Sequence, residues 1–323
     1  MTTDFIVSLG IPTYKRPHRL RNLLERLHTQ LAEDPKHFEV VVSDNCSQDE
    51  TPDVVKEFTG KLHIKHYTNP TNIGANNNVL SLIEKSSGEY LWIVPDDDDF
   101  VYDDSLQQVY QAIANCDIKP AVVLVNYNLV ELDTNKVLKT NAMKIDHDMF
   151  FEKGFDALTV LQDVDFLTGI CLLVNREMCK HPFAREEAGE YHSPLSMALT
   201  CMAEGPCLVI AKPLVILGAG DTSNWRNYWP RIYFQDMTSC LYAAHQKLGL
   251  PAEILKRQID LKRSYKTAST VLSWHRFLFQ KYGMSWKKLA QFYGYAFVLN
   301  LILIAPFKIF GDLKIVKKLR GKN

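Results

Sequence analysis

The chain has 323 residues, 37 Lys/Arg balanced by 37 Asp/Glu, with 46% hydrophobic and 23% charged content. That length and balance permit a large buried core in one or two domains and exclude a disordered or fibrous chain. The zero net charge conceals a division: residues 254–323 carry 15 Lys/Arg against only Asp260 and Asp312, leaving residues 1–253 strongly acidic. The basic end is expected to face something anionic, membrane lipid or nucleic acid. Seven scattered cysteines without a Cys-x-x-Cys pair indicate neither a zinc ribbon nor a disulfide framework, which fits a reducing compartment. No basic segment followed by a long apolar run opens the chain, so no secretory signal is expected.

In chain order, residues 5–9 predict a strand and 17–31 an amphipathic helix with Leu20, Leu23, Leu24, Leu27 and Leu31 on one face. Residues 38–43 predict a second strand, 52–59 a helix, 61–67 a third strand, 74–86 a helix and 90–94 a fourth strand. A helix over 105–115 and a strand over 121–127 follow. Strands alternating with helices at this spacing imply an α/β chain with a mostly parallel, doubly wound sheet flanked by helices. Beyond residue 128 the alternation weakens: helices are expected at 155–163, 193–203, 231–249 and 252–282, and strands at 170–174 and 207–217.

Polar clusters follow the first four strands, where ligands of such sheets bind. They are Ile11-Pro12-Thr13-Tyr14-Lys15-Arg16-Pro17, Ser43-Asp44-Asn45-Cys46-Ser47-Gln48-Asp49, Asn69-Pro70-Thr71-Asn72-Ile73-Gly74-Ala75-Asn76-Asn77-Asn78, and Asp96-Asp97-Asp98-Asp99. Asp44 can accept hydrogen bonds from a planar ring edge, Thr13 and Tyr14 could frame that ring, and Gly74 lets backbone approach a ligand. Four adjacent carboxylates repel one another unless a cation sits among them, and a divalent metal carrying phosphate suits their hard oxygens. Ordinary turn chemistry and a solvated acidic turn account for the same residues taken singly.

As an ordered set, Pro-Thr-Tyr-x-Arg, Ser-Asp-Asn-x-Ser-x-Asp, Asn-x-Gly and Asp-x-Asp resemble the inverting glycosyltransferases of family 2, which have the GT-A fold. The resemblance covers about residues 5–130 clearly and thins towards 220. It implies a nucleoside-diphosphate-sugar donor of UDP, CDP or dTDP type, with Mn²⁺ or Mg²⁺ as cofactor. Donor contacts would come from Pro12, Thr13, Tyr14, Arg16, Asp44, Asn72, Gly74, Asn76, Asp96 and Asp97, with Asp44 reading the base edge and Asp96 at the ribose. Asp98, with Asp96, would hold the metal. Many relatives take a general base from a Glu-Asp pair at a helix start in the second half. The comparable stretch here, Glu186-Glu187-Ala188-Gly189-Glu190-Tyr191-His192, has Tyr191 in the aspartate slot. Glu190 is the first candidate base, with Glu187 and His192 behind it; His192 could equally be a helix-start residue.

Asp165 and Gly169 lie at a loop-to-strand step where relatives often place acceptor-facing residues. In the Gly- and Trp-rich loop after 217, Trp225 could stack on a sugar face and Arg226 could meet the diphosphate; the tryptophans could equally anchor the next helix. Residues 162–245 resemble abequosyltransferase-like enzymes of O-antigen assembly. Residues 289–310 form a marginal membrane-spanning stretch, and the basic tail beyond reads as an interfacial anchor or as a basic helix pair packed on the catalytic domain. No nucleic-acid module accompanies the charge.

The expected organisation is a GT-A catalytic domain over 1–220, with a donor half 1–127 and an acceptor half 128–220, and a helical, basic and apolar region over 221–323. The expected activity is metal-dependent sugar transfer to a hydroxyl of a glycan or lipid-linked oligosaccharide. Its expected place is peripheral, on the cytoplasmic face of the cell membrane. Two alternatives remain at this point: a nucleotidyltransferase, although the glycine-rich phosphate loop of that class is missing, and a non-catalytic nucleotide-sugar or glycan-binding protein.

Overall fold

The computed structural model describes residues 6–32, 34–132, 134–161, 169–189, 192–219, 232 and 236–264. The chain divides into two compact units, Met1–Ser223 with Asp236–Gln258 and Asn224–Gln235 with Ile259–Asn323. The first carries the elements below. The described part of the second is chiefly the end of the last helix. The expected stretch 289–310 and its basic tail lie outside the described residues, among which no helix is long and apolar enough to cross a membrane.

The N-terminal part contains β1 (Val7–Thr13), α1 (Pro17–Gln30), β2 (Phe38–Asp44), α2 (Thr51–Glu57), β3 (Ile64–Thr68), α3 (Ala75–Lys85) and β4 (Tyr90–Ile93). Then follow β5 (Asp99–Phe100), α4 (Ser105–Ala114), β6 (Val122–Glu131), β7 (Lys136–Lys139), β8 (Met149–Phe151), α5 (Ala157–Val160) and β9 (Leu172–Asn175). Next come α6 (Pro182–Glu186), α7 (Ser193–Glu204), β10 (Cys207–Ala219), α8 (Met237–Lys247) and α9 (Ala252–Ser264).

One sheet has the order β3-β2-β1-β4-β9-β6-β10-β5, with β7 added to β6 and β8 to β10. β3, β2, β1 and β4 run parallel, as does the β6–β10 pair, whereas β9 is antiparallel between β4 and β6. Parallel strands covered on both faces read as largely apolar runs, and every residue of β2 is buried, the polar Glu39, Ser43 and Asp44 included. The leucine stripe of α1 delivers Leu20, Leu23, Leu24 and Leu27 into the same core as Trp92, Val40 and Val42. Trp92 is fully buried, donates its indole N–H to the Ile170 carbonyl (2.8 Å) and meets Phe100 edge to face at 5.8 Å.

β1 extends past the expected end at residue 9, through Gly10 and Pro12. Gly10 still accepts from Val94 N–H on the β4 side, while the Thr13 carbonyl accepts from Asn45 N–H on the β2 side. Alternation therefore turns the missing N–H of Pro12 towards β4, which has already ended at Ile93. The proline costs no ladder bond, and the strand carries Thr13 to the site.

Candidate active site

The carboxyl ends of β1, β2 and β4 lie side by side, with Thr13 paired to Asp44 in register and Gly10 to Ile93. Thr13 Oγ1 donates to Asp96 Oδ2 at 2.7 Å. Arg16, at the N-cap of α1, reaches Asp96 Oδ1 at 2.7 Å and Asp97 Oδ2 at 3.1 Å, and Arg19 lies 3.8 Å from Asp97. The first and fourth clusters thus form one constellation. Burial pushes Asp96 up to about 6; the Arg16 charge opposes this, Asp97 adds to it, and the Thr13 hydroxyl opposes it.

The four aspartates are sorted by their surroundings. Asp98 accepts from Gly218 N–H at 2.9 Å, and its carboxyl is held well above the usual range, first by burial and then by Asp97, against the N–H groups of Gly218 and Ile170. Asp99 turns outward, pairing with Arg26 at 3.3 Å and accepting its neighbour's N–H at 2.7 Å. Gly169, expected on the acceptor side, adopts φ +37°, and a Cβ there would sit 3.1 Å from Pro95 and 3.4 Å from Asp98 Oδ2.

Asp44 is buried, and its Oδ1 accepts from the N–H (3.1 Å) and the hydroxyl of Ser47. Ser47 Oγ in turn accepts from Lys15 N–H at 2.9 Å, which ties the β1 and β2 loops together. Lys15, Cys46 and Gln48 have φ values of 54°, 65° and 55°, left-handed conformations uncommon outside glycine. Their clustering in two strand-end loops is the kind of backbone strain found at ligand sites. Tyr14 is exposed beside them with the Lys15 ammonium 5.3 Å from its ring centroid.

The asparagine cluster also carries hydrogen bonds within the protein. Asn72 Oδ1 accepts from Gly74 N–H and Asn45 Nδ2, each at 2.9 Å, so it shapes the loop in which Gly74 adopts φ +84°. Asn76 Nδ2 donates to the carbonyls of Ala188 (3.3 Å) and Gly189 (3.0 Å), and its Oδ1 accepts from Ser193 N–H at 2.7 Å. Sequence reasoning missed the buried network beneath them. There Asn78 accepts from Ser43 Oγ (2.6 Å) and Asn69 Nδ2 (2.9 Å), and Lys85 donates to Ser43 and Asn69. Polar residues at 78, 81 and 85, one per turn on one face of α3, were the signal that could have revealed it.

In the second half, Glu187 accepts from Lys247 at 2.6 Å and His192 stands at the N-cap of α7. Glu190, Asp165, Trp225 and Arg226 lie outside the described residues. Among the described residues, no three His, Cys, Asp or Glu side chains converge as a closed metal cage. A metal carried on a diphosphate needs no such cage, because one or two carboxylates suffice when phosphates and water complete the shell. Asp96 and Asp98, oxygen donors crowded beside a third carboxylate, fit that role.

The sheet, its flanking helices and the polar ends of β1, β2 and β4 define a GT-A glycosyltransferase. A model of the glycosyl transferase family 2 domain matches residues 8–182, more than half of the chain, and the protein belongs to that family. Membership sets aside the nucleotidyltransferase alternative. The chain is similar to the abequosyltransferase RfbV of Salmonella typhimurium, at 25% identity over 276 residues, 81% of this chain and 79% of that one. Its fold matches the crystal structure of Staphylococcus aureus TarS residues 1–349 with a TM-score of 0.64 at 17% identity, over 89% of this chain and 80% of that one. TarS has also been solved with UDP-GlcNAc, for which the TM-score is 0.63 at 17% identity, over 85% and 80% of the two chains. The mannosyltransferase PcManGT of Pyrobaculum calidifontis, in complex with GDP-Man and Mn²⁺, matches with a TM-score of 0.57 at 16% identity, over 98% and 84%.

Proposed function

We propose that this glycosyltransferase is metal-dependent and inverting, and moves one sugar from a nucleoside diphosphate to a hydroxyl of a lipid-linked glycan in surface polysaccharide assembly. The observation that carries the reading is the single constellation of Thr13, Arg16, Asp96 and Asp97, with Asp98 beside it, at the carboxyl ends of β1 and β4. The UDP-sugar, GDP-Man and Mn²⁺ complexes of the structural neighbours and the abequosyltransferase relative support it.

In this reading Thr13 and Tyr14 frame the base, Asp44 reads its edge and Asp96 meets the ribose. Asp98, with Asp96, would hold the divalent cation, which stabilises the charge left on the diphosphate. Glu190, Glu187 or His192 takes the proton of the acceptor hydroxyl as its oxygen bonds to the anomeric carbon and the diphosphate departs with the bonding pair. Residues 1–220 form the catalytic domain, and the basic region 221–323 holds the enzyme on an anionic leaflet, on the cytoplasmic face of the membrane.

The test is a thermal-shift panel with UDP, CDP, GDP and dTDP, each with and without Mn²⁺. One nucleotide should raise the melting temperature in a metal-dependent way, because ligands of the native state stabilise it by mass action. Asp98→Asn should abolish the metal-dependent part of the shift. A folded wild type that responds to none of the four, or an Asp98→Asn variant with its full metal response, would overturn the assignment.

A further inference from the structure

Ala188, Gly189 and the first residue of α7 are held by distant elements. Asn76, in the first turn of α3, donates to the Ala188 and Gly189 carbonyls at 3.3 and 3.0 Å and accepts from Ser193 N–H at 2.7 Å. Only a side chain with both a donor and an acceptor can bridge carbonyls and an N–H at once, and a carboxamide does so. Ser193 N–H, on the first residue of α7, is one of the donors at a helix start that lack an intrahelical partner, and an N-cap side chain normally serves the N–H groups of the second or third residue. The N-cap residue here, His192, makes no such bond. Asn76 supplies the cap from 117 positions away.

On the opposite side, Gly189 adopts φ +64° against the start of α8, where a Cβ would come within 2.9 Å of Asp236 Cβ. A side chain at this position would be strained and would crowd Asp236. Lys247 of α8 secures Glu187, the residue before Ala188, at 2.6 Å. Asn76 lies two residues after Gly74, so the helix that begins at the expected donor loop also grips the stretch bearing Glu187 and His192.

We propose that Asn76 is a positioning residue that couples the donor site to the acid–base segment: it ties Ala188 and Gly189 to the first residue of α7, and so sets the reach of the proton-accepting group, without touching the donor. The proposal rests on the glycosyl-transfer reading above for its effect on rate, though the clamp itself can be judged without turnover.

The experiment compares the full-length wild type with Asn76→Ala and the milder Asn76→Ser, both checked for folding by circular dichroism. Hydrogen exchange of peptides covering residues 188–195 should accelerate about tenfold or more, because a lost cap frees the first turn of α7. Affinity for the nucleoside diphosphate that binds wild type with Mn²⁺ should stay within about twofold. The transfer kcat should fall by about 10–100-fold, the range expected when a reacting group is displaced by an ångström. Unchanged exchange at 188–195 would overturn the clamp. Weakened nucleotide binding with kcat retained would overturn the positioning role and return Asn76 to the donor site. A wild type that binds nucleotide but transfers no sugar would sink the functional reading, while the exchange and affinity measurements would still decide the clamp.

Discussion

Glu39 offers the sharpest test of how the platform beneath the site is built. It is 1% exposed, near the start of β2, and its carboxylate accepts from Ser8 Oγ (2.5 Å), Ser87 N–H (2.6 Å), Ser87 Oγ (2.9 Å) and Gly88 N–H (3.3 Å). Lys65 of β3 completes the set at 2.8 Å. One carboxylate thereby ties β1, β2 and β3 to the loop that enters β4. Burial pulls its pKa upward, but Lys65, Ser8 and Ser87 together outweigh burial and leave it below the ordinary value.

Glu39→Gln turns one acceptor into a donor that faces the Ser8 or Ser87 groups. Two buried donors then lose a charged acceptor, at about 1–3 kcal/mol each, so the expected loss is about 2–6 kcal/mol. The Lys65 ion pair adds little, because that lysine is 42% exposed and screened. Since the folded pKa lies below the unfolded one, the stabilisation is complete above the unfolded value of about 4.3 and is lost as pH falls through the folded one. Urea unfolding at pH 7 and at about pH 3.5 should therefore show a wide gap between wild type and variant that narrows in acid. A gap under about 0.5 kcal/mol at pH 7, the size of an ordinary surface substitution, would refute the reasoning; so would an equal gap at both pH values.

Two further predictions concern the Asp run. In Gly218→Ala the new Cβ would lie 2.4 Å from the Asp97 carbonyl oxygen and 2.8 Å from Leu132, so the strand end must move and withdraw its N–H from Asp98. A loss of about 1–3 kcal/mol in thermal unfolding is expected from the overpacking, together with reduced transfer; a variant with wild-type stability and rate would contradict it. Asp96, raised to about 6, stabilises the ligand-free protein when protonated. Its contribution is full below the ordinary value of about 3.9 and is lost as pH rises through about 6. Stability of the ligand-free chain should decline across that window, and Asp96→Asn should flatten the decline; an unchanged slope in the variant would rule Asp96 out as its source.

Much of the N-terminal sheet was legible without coordinates. The leucine period of α1, the apolar runs of β2 and β4 and the polar clusters after them are local patterns, because burial of one helix face or of a whole parallel strand must be written into neighbouring residues. The same locality limited the reading. Gly10 and Pro12 looked like a strand end, and only the position at which β4 stops explains why β1 continues. The run Asp96–Asp99 is uniform as sequence, yet the four carboxylates take different partners: Thr13 and Arg16 for Asp96, Arg16 and Arg19 for Asp97, Gly218 for Asp98 and Arg26 for Asp99.

Residues 8–182 carry enough local pattern to assign the family. The insertion of antiparallel β9 between β4 and β6, the grip of Asn76 on Gly189 and Ser193 more than a hundred residues away and the upward pKa shifts of Asp96 and Asp98 were decided by tertiary structure. Strand order, long-range hydrogen bonds and desolvation depend on which distant segments share a volume, and no short-range spacing encodes that.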